Sequence, residues 1–285
     1  MTLVSTAELV ADAVRRGGAV AAMNVITLEH AEAIAAGADQ AGLPVILAIS
    51  QNAVKFHGGQ LAPISAATAA VARLAGVPMS LHLDHVTDQA LVDQAAECGF
   101  SSLMYDGAAM SHPENVAATR RAGDVARASG LWVEGELGYV GGKPDAPQNA
   151  HDPGVRTDPD EAAEFVEQTG VDALAVAVGS SHAMTSRSAQ LDLPLIALLR
   201  ARLPVPLVLH GSSGVADQVL RDAVLAGITK VNIGTALNIA MTRAVRRFLE
   251  RDTSTVDPRR YLVEARDEIA TTVRDLLTVV SGQTR

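Results

Sequence analysis

The chain has 285 residues, 48% of them hydrophobic, and a formal net charge of −9. That length and apolar content suit a full core, and α/β barrels of this size often form one domain, so a single domain over 1–285 is expected. The acidic balance argues against a nucleic-acid or anionic-membrane binder, which would carry a basic surface.

The N-terminal stretch MTLVSTAELVADAVRRGG lacks the basic-then-apolar pattern of a secretory leader. No apolar run reaches the ~18 residues of a membrane span. A helix is predicted over 5–16, with Ser5 as its N-cap. A first apolar strand covers 19–26, and an Ala-rich helix covers 28–40, stopped by Gly42. Residues 44–50, PVILAIS, form a second strand, and a helix covers 62–75. The third strand, PMSLHLDHV at 78–86, switches abruptly from apolar residues to Asp84 and His85.

A helix over 88–97 follows. Just beyond it, in AAECGF, lies the chain's one cysteine, Cys98; with apolar neighbours, this reads as a small core residue. The lone cysteine also argues for a reducing, cytoplasmic setting. The fourth strand, SSLMYD at 101–106, ends in Asp106, and Pro113 opens a helix reaching 129. The fifth strand, LWVEGEL at 131–137, carries Glu134 and Glu136 on one face, because alternate strand residues point the same way. Residues 138–157 are rich in Gly, Pro and Asp and lack periodicity, the pattern of a lid or binding loop. A helix over 158–168 leads to the sixth strand, 173–179, which is followed by His182. A helix over 193–203 precedes the seventh strand, 206–209, then His210-Gly211-Ser212-Ser213-Gly214. A helix over 215–226, an eighth strand over 229–233, a helix to 250 and a last helix over 258–280 complete the chain.

Eight strand–helix units are the count of a TIM (β/α)8 barrel with additional C-terminal helices. A doubly wound open sheet is the alternative, but the G-x-G-x-x-G fingerprint after the first strand is missing. In a barrel the chemistry sits at the carboxyl ends of the strands. His85, His182 and His210 all fall there. Three imidazoles plus an open position make a catalytic zinc site. Asp106 and Glu136, also at strand ends, would hold a second cation, steer the histidines, or form a structural ion-pair cluster. The segments 211–214 and 232–235 each precede a helix N-terminus after strands seven and eight, where barrels bind phosphate through backbone N–H groups.

At these residues the chain resembles the class II, zinc-dependent fructose-bisphosphate aldolase family, which includes tagatose-bisphosphate aldolase. The motifs are LHLDH at 81–85, LMYDG at 103–107, VEGELG at 133–138, DALAVAVGSSH at 172–182, LVLHGSSG at 207–214 and KVNIGT at 230–235. The resemblance implies a metal-dependent aldolase of carbohydrate metabolism that cleaves a ketose (bis)phosphate to dihydroxyacetone phosphate and an aldehyde, assembled as a homodimer or homotetramer. It implies that His85, His182 and His210 hold Zn2+, and that Asp106 and Glu136 match positions for a second divalent or monovalent cation. Asp84 would exchange a proton with the C4 oxygen. Asn24, Ser50, Ala183, Gly211, Ser212, Ser213, Asn232, Ile233, Gly234 and Thr235 would line the substrate pocket, and Arg259 would reach the far phosphate from a neighbouring subunit.

The departures concern the substrate. The family's Gly-Gly-x-Glu-Asp loop here reads Gly141-Gly142-Lys143-Pro144-Asp145, so Pro144 stands where a proton-moving glutamate is expected; Asp145 is the nearest acid, and His151 or Asp152 could substitute. The Gly-x-Tyr-Lys after the second metal histidine here reads Ala183-Met184-Thr185-Ser186, which loses a basic group. The expected substrate is therefore a sugar phosphate other than fructose bisphosphate. Two alternatives stay open: an epimerase using the same carbonyl chemistry, and a non-catalytic sugar-phosphate-binding paralogue. Retention of the three histidines and Asp84 argues against the paralogue.

Overall fold

A computed structural model describes residues 2–140 and 156–282. Eight parallel strands close into a barrel in chain order, which excludes the open doubly wound sheet. They are β1 Val20–Asn24, β2 Val45–Ser50, β3 Met79–Val86, β4 Ser102–Tyr105, β5 Trp132–Leu137, β6 Ala173–Val176, β7 Leu207–Leu209 and β8 Ile228–Ile233. The helices are α1 Thr6–Arg16, α2 Leu28–Ala41, α3 Gln51–Phe56, α4 Leu61–Leu74, α5 Gln89–Gln94 and α6 His112–Ala128. They continue as α7 Pro159–Thr169, α8 Leu193–Arg202, α9 Asp217–Ala226, α10 Thr235–Arg251 and α11 Pro258–Val280. No helix among the described residues is long and apolar enough to cross a membrane.

The period-2 alternation of each strand builds two cores. Outward residues such as Leu47, Leu81, Leu103, Val133 and Val231 pack under the helices. Inward residues of β1 and β2 (Val20, Ala22, Ile46, Ala48) meet Leu9, Val10 and Ala13 of α1, which seals the amino-terminal end. Ser5 starts α1 by accepting the Glu8 N–H at 3.2 Å, and left-handed Gly17 ends it.

Several elements differ from the sequence expectation: β1 and α5 are shorter than expected, ending at Asn24 and Gln94, and three further differences have a local cause. Helix α3 was not anticipated; at six residues it is too short to show a helical period. Strand β6 stops at Val176 rather than at 179, because Gly179 turns the chain at φ 119°. Helix α9 starts at Asp217, after a 3-10 turn over Ser212–Gly214 that the expected helix start at 215 overlooked.

Candidate active site at the carboxyl ends of the strands

The barrel brings the three histidines together. Their ring centroids lie 5.1 Å (His85–His182), 4.8 Å (His85–His210) and 5.9 Å (His182–His210) apart. One nitrogen from each falls within 4.8 Å of the others. Two backbone distortions aim this cluster. His85 has φ 50° and Ala183 has φ 57°, the two non-glycine residues in the left-handed region among the described residues. Such conformations cost about 1–3 kcal/mol each and persist where the surroundings over-determine them. Gly211 also sits left-handed, at φ 67°, and a Cβ there would come 2.6 Å from the Ser181 carbonyl carbon. Only glycine lets the chain turn that closely after His210.

Carboxylates set the ring orientations. Asp106 Oδ2 lies 2.9 Å from His85 Nδ1. Glu136 Oε2 lies 2.7 Å from His210 Nδ1, and Glu134 Oε1 lies 2.9 Å from His210 Nε2. Behind them runs a buried polar chain. Lys230 Nζ donates to Glu134 Oε2 and to Asn232 Oδ1, each at 2.8 Å. Asn232 Nδ2 donates to Asp84 Oδ1 at 3.2 Å, and Asp84 Oδ2 stands 4.0 Å from His85 Nε2.

These charges hold one another in place. Burial raises the Glu134 pKa, but Lys230 and His210 more than offset this, and the net result is about 2. Burial likewise opposes ionisation of Asp84, yet His85 and His82 hold it well below the ordinary carboxylate range. Burial favours neutral His210, but Glu134 and Glu136 lift it to about 10. Asp84 is therefore a standing carboxylate beside the histidines. The donor set fits a divalent cation: three imidazoles for the metal, each of two rings already gripped by an acid, as metal-binding histidines commonly are.

The site opens into a cavity of about 670 Å³. Asn24, Ser50, Asp84, His85, Asp106, His182, Ala183, Gly211, Ser212, Ser213, Asn232, Gly234 and Thr235 line it, as the sequence suggested. Ser212 Oγ donates to the Asn232 carbonyl at 2.5 Å, and the Ala236 N–H donates to Ser213 Oγ at 3.1 Å. The two glycine-containing turns are thus tied together beside the N-terminus of α10, an arrangement suited to an anion.

Other expectations fall elsewhere. The Ile233 side chain packs outward into the core, so it is not a pocket residue. His210 and Glu136 are fully buried behind the cavity wall. Arg259 is not brought to its own chain's cavity; at the start of α11 it is exposed and paired with Asp257 at 2.7 Å. Asp145, Pro144, His151 and Asp152 lie outside the described residues.

The structure also adds residues. Gln51, Asn52, Lys55 and Phe56 of α3, with Thr87 and Asn238, line the cavity. Lys55 is the sole lysine or arginine among the described lining residues. Gln51 latches α3 to the turn after β3: its Oε1 accepts the Thr87 and Asp88 N–H groups at 2.9 and 3.1 Å, and its Nε2 donates to Thr87 Oγ1 at 2.9 Å. Lys230 carries a signal in the sequence, a charged residue at an inward position of an otherwise apolar strand, and it pairs with Glu134 of the fifth strand.

With this geometry in hand, comparison with known proteins decides the family. The family model for class-II fructose-bisphosphate aldolase matches residues 4–285. The chain belongs to the class II fructose-bisphosphate aldolase family. It is 35% identical over 274 residues to a fructose-bisphosphate aldolase of Geobacillus stearothermophilus, covering 96% of this chain and 95% of that protein. Among solved structures it is similar to the YdjI aldolase of Escherichia coli K12, at 30% identity and a TM-score of 0.82, covering 98% and 97% of the two chains. The fructose-bisphosphate aldolase of Campylobacter jejuni, at 21% identity, shares the fold with a TM-score of 0.83 over 98% and 96% of the chains. This class II chain is therefore an aldolase, a carbon–carbon lyase of a metal-dependent family that takes sugar-phosphate substrates.

Proposed function

We propose that this aldolase cleaves a ketose phosphate to dihydroxyacetone phosphate and an aldehyde, with zinc held by His85, His182 and His210. The observation that carries the reading is the Asp84 carboxylate, 4.0 Å from His85 and open to the same cavity as His85 and His182. When bound, zinc supplies Lewis-acid stabilisation of the negative charge left when the carbon–carbon bond breaks. The protein's own groups do the rest. Backbone N–H groups at 211–213 and at the start of α10 hold the phosphate of the ketone half. Asp84, kept ionised, takes the proton of the C4 hydroxyl in cleavage and returns it in synthesis. The Asn232 amide holds that carboxylate in line. Asp106 and Glu136 orient His85 and His210 and offer oxygens to a second cation. Lys55 at the cavity rim meets an anionic group on the aldehyde half.

The loss of the basic residue after His182 leaves Lys55 as the distal cation among the described lining residues, which suits a ketose phosphate other than fructose bisphosphate. Arg259, exposed on α11, serves the cavity of a neighbouring subunit in a homodimer or homotetramer. Asp145 or a neighbour in the loop takes the place of the family's glutamate at Pro144.

The test is metal analysis together with triose-phosphate release from a panel of ketose mono- and bisphosphates, before and after chelation. About one zinc per chain and chelator-sensitive release from at least one substrate is the expected result. No release from any metal-replete mixture would overturn the reading.

A further inference from the structure

Lys230 is fully buried, and neither metal binding nor proton transfer requires it. A buried ammonium is costly unless its protons are matched. Two of its protons are matched, by groups that each hold a different part of the site. One is Glu134 Oε2, whose other oxygen holds His210 Nε2 at 2.9 Å. The other is Asn232 Oδ1, whose amide nitrogen reaches Asp84 at 3.2 Å.

The chemistry of the donor fixes both contacts. An ammonium donates and never accepts. Asn232 must therefore turn its oxygen to Lys230, which leaves its NH2 facing the Asp84 carboxylate. Glu134, held ionised by the same ammonium, accepts from His210 Nε2–H. The other ring nitrogen, Nδ1, lies 2.7 Å from Glu136 Oε2, so the two carboxylates hold the ring from both sides. Strands β5, β7, β8 and β3 are joined through one nitrogen atom.

We propose that Lys230 is the positioning residue that couples the metal set to the proton-transfer group, holding His210 in place through Glu134 and fixing the Asp84 orientation through Asn232. This rests on the zinc aldolase reading. It predicts that the two functions can be separated. In Lys230→Met both supports go. In Lys230→Met/Glu134→Gln no buried charge is left unpaired, and the glutamine carbonyl can still accept from His210 Nε2–H. The Asn232 amide, however, has lost the donor that oriented it.

The experiment measures zinc affinity by competition with a chelating dye, and kcat and KM separately, on both variants and the wild type with the substrate found in the panel. In the single variant zinc affinity falls about 10- to 100-fold, the usual effect of removing an outer partner of a metal ligand. In the double variant zinc affinity returns to within about threefold of wild type, while kcat stays down about tenfold or more and KM moves less than about threefold. If the single variant does not fold, the double variant carries the test. Recovery of both affinity and kcat in the double variant would reduce Lys230 to charge balance and overturn the proposal. So would a single variant within about twofold of wild type in both quantities. A wild type that binds no zinc, or releases no triose phosphate, would sink the aldolase reading itself and the coupling with it. A wild type that does both, beside unaffected variants, would sink the coupling alone.

Discussion

The two ends of the barrel interior solve the same packing problem with opposite chemistry. At the amino-terminal end the groups are neutral hydroxyls. Thr6 Oγ1 meets Ser80 Oγ at 2.9 Å and accepts from Ser102 Oγ at 2.6 Å, and the Thr6 N–H donates to Ser101 Oγ at 3.0 Å. At the carboxyl-terminal end the groups are carboxylates, imidazoles and one ammonium. His82 lies between them, with Nδ1 2.8 Å from Ser102 and Nε2 3.6 Å from Asp84 Oδ1. A hydroxyl network is satisfied by turning O–H bonds and holds shape at small cost. A buried charge network survives only as a complete set, so it stays where the charges have work to do.

The sharpest way to break this contrast is Asp84→Asn. It removes the carboxylate and keeps its shape. The expected loss in kcat is about 10²- to 10⁴-fold, with zinc content unchanged. Loss of less than tenfold would mean that another group moves the proton. Thr6→Val strikes the other end. It leaves hydroxyl partners of Ser80, Ser101 and Ser102 unmet, so unfolding free energy in urea should fall by about 1–3 kcal/mol while kcat stays within about twofold. A fall in kcat at unchanged stability would show that the lower network also serves the chemistry.

Lys55→Met tests the cavity rim. KM for the phosphorylated substrate should rise about tenfold with little change in kcat, the pattern of lost uniform binding. A change in kcat alone would place Lys55 at the reacting centre instead. The smallest effect concerns His30 on α2, outside both networks. Burial is the first cause of its lowered pKa, outweighing a bond to Asn238. Its folded pKa lies below the unfolded value near 6.5. The stability it contributes is therefore present above about pH 6.5 and lost as pH falls through the folded value. His30→Gln should flatten stability against pH on that acid side by no more than about 1.4 kcal/mol per pH unit. An unchanged slope would assign the acid sensitivity to His82, the other histidine that burial pushes down.

Much of this architecture was legible in the sequence, because strand–helix alternation repeats eight times with apolar strands. The three histidines were legible because each falls at or soon after the carboxyl end of a strand. Helix α3 was not, since six residues cannot display a 3.6-residue period. Lys230 was legible as the first residue of the KVNIGT motif, but its partners were not, since Glu134 and Asn232 meet it only once the barrel closes. The resemblance put Ile233 in the substrate segment with Asn232, but neighbouring strand residues point to opposite faces, and its side chain packs in the outer core. Arg259 was legible only as a residue type: within the chain it is exposed and paired with Asp257, away from the cavity.

The Gln51 latch has a consequence for how this enzyme can change over time. Through it α3 and the turn that carries Asp84 and His85 into position are joined by three hydrogen bonds, all made by a single buried side chain. The outer face of the same helix, with Asn52, Lys55 and Phe56, is free of that duty. Mutations there can explore new aldehydes one at a time while the bond-breaking groups stay put.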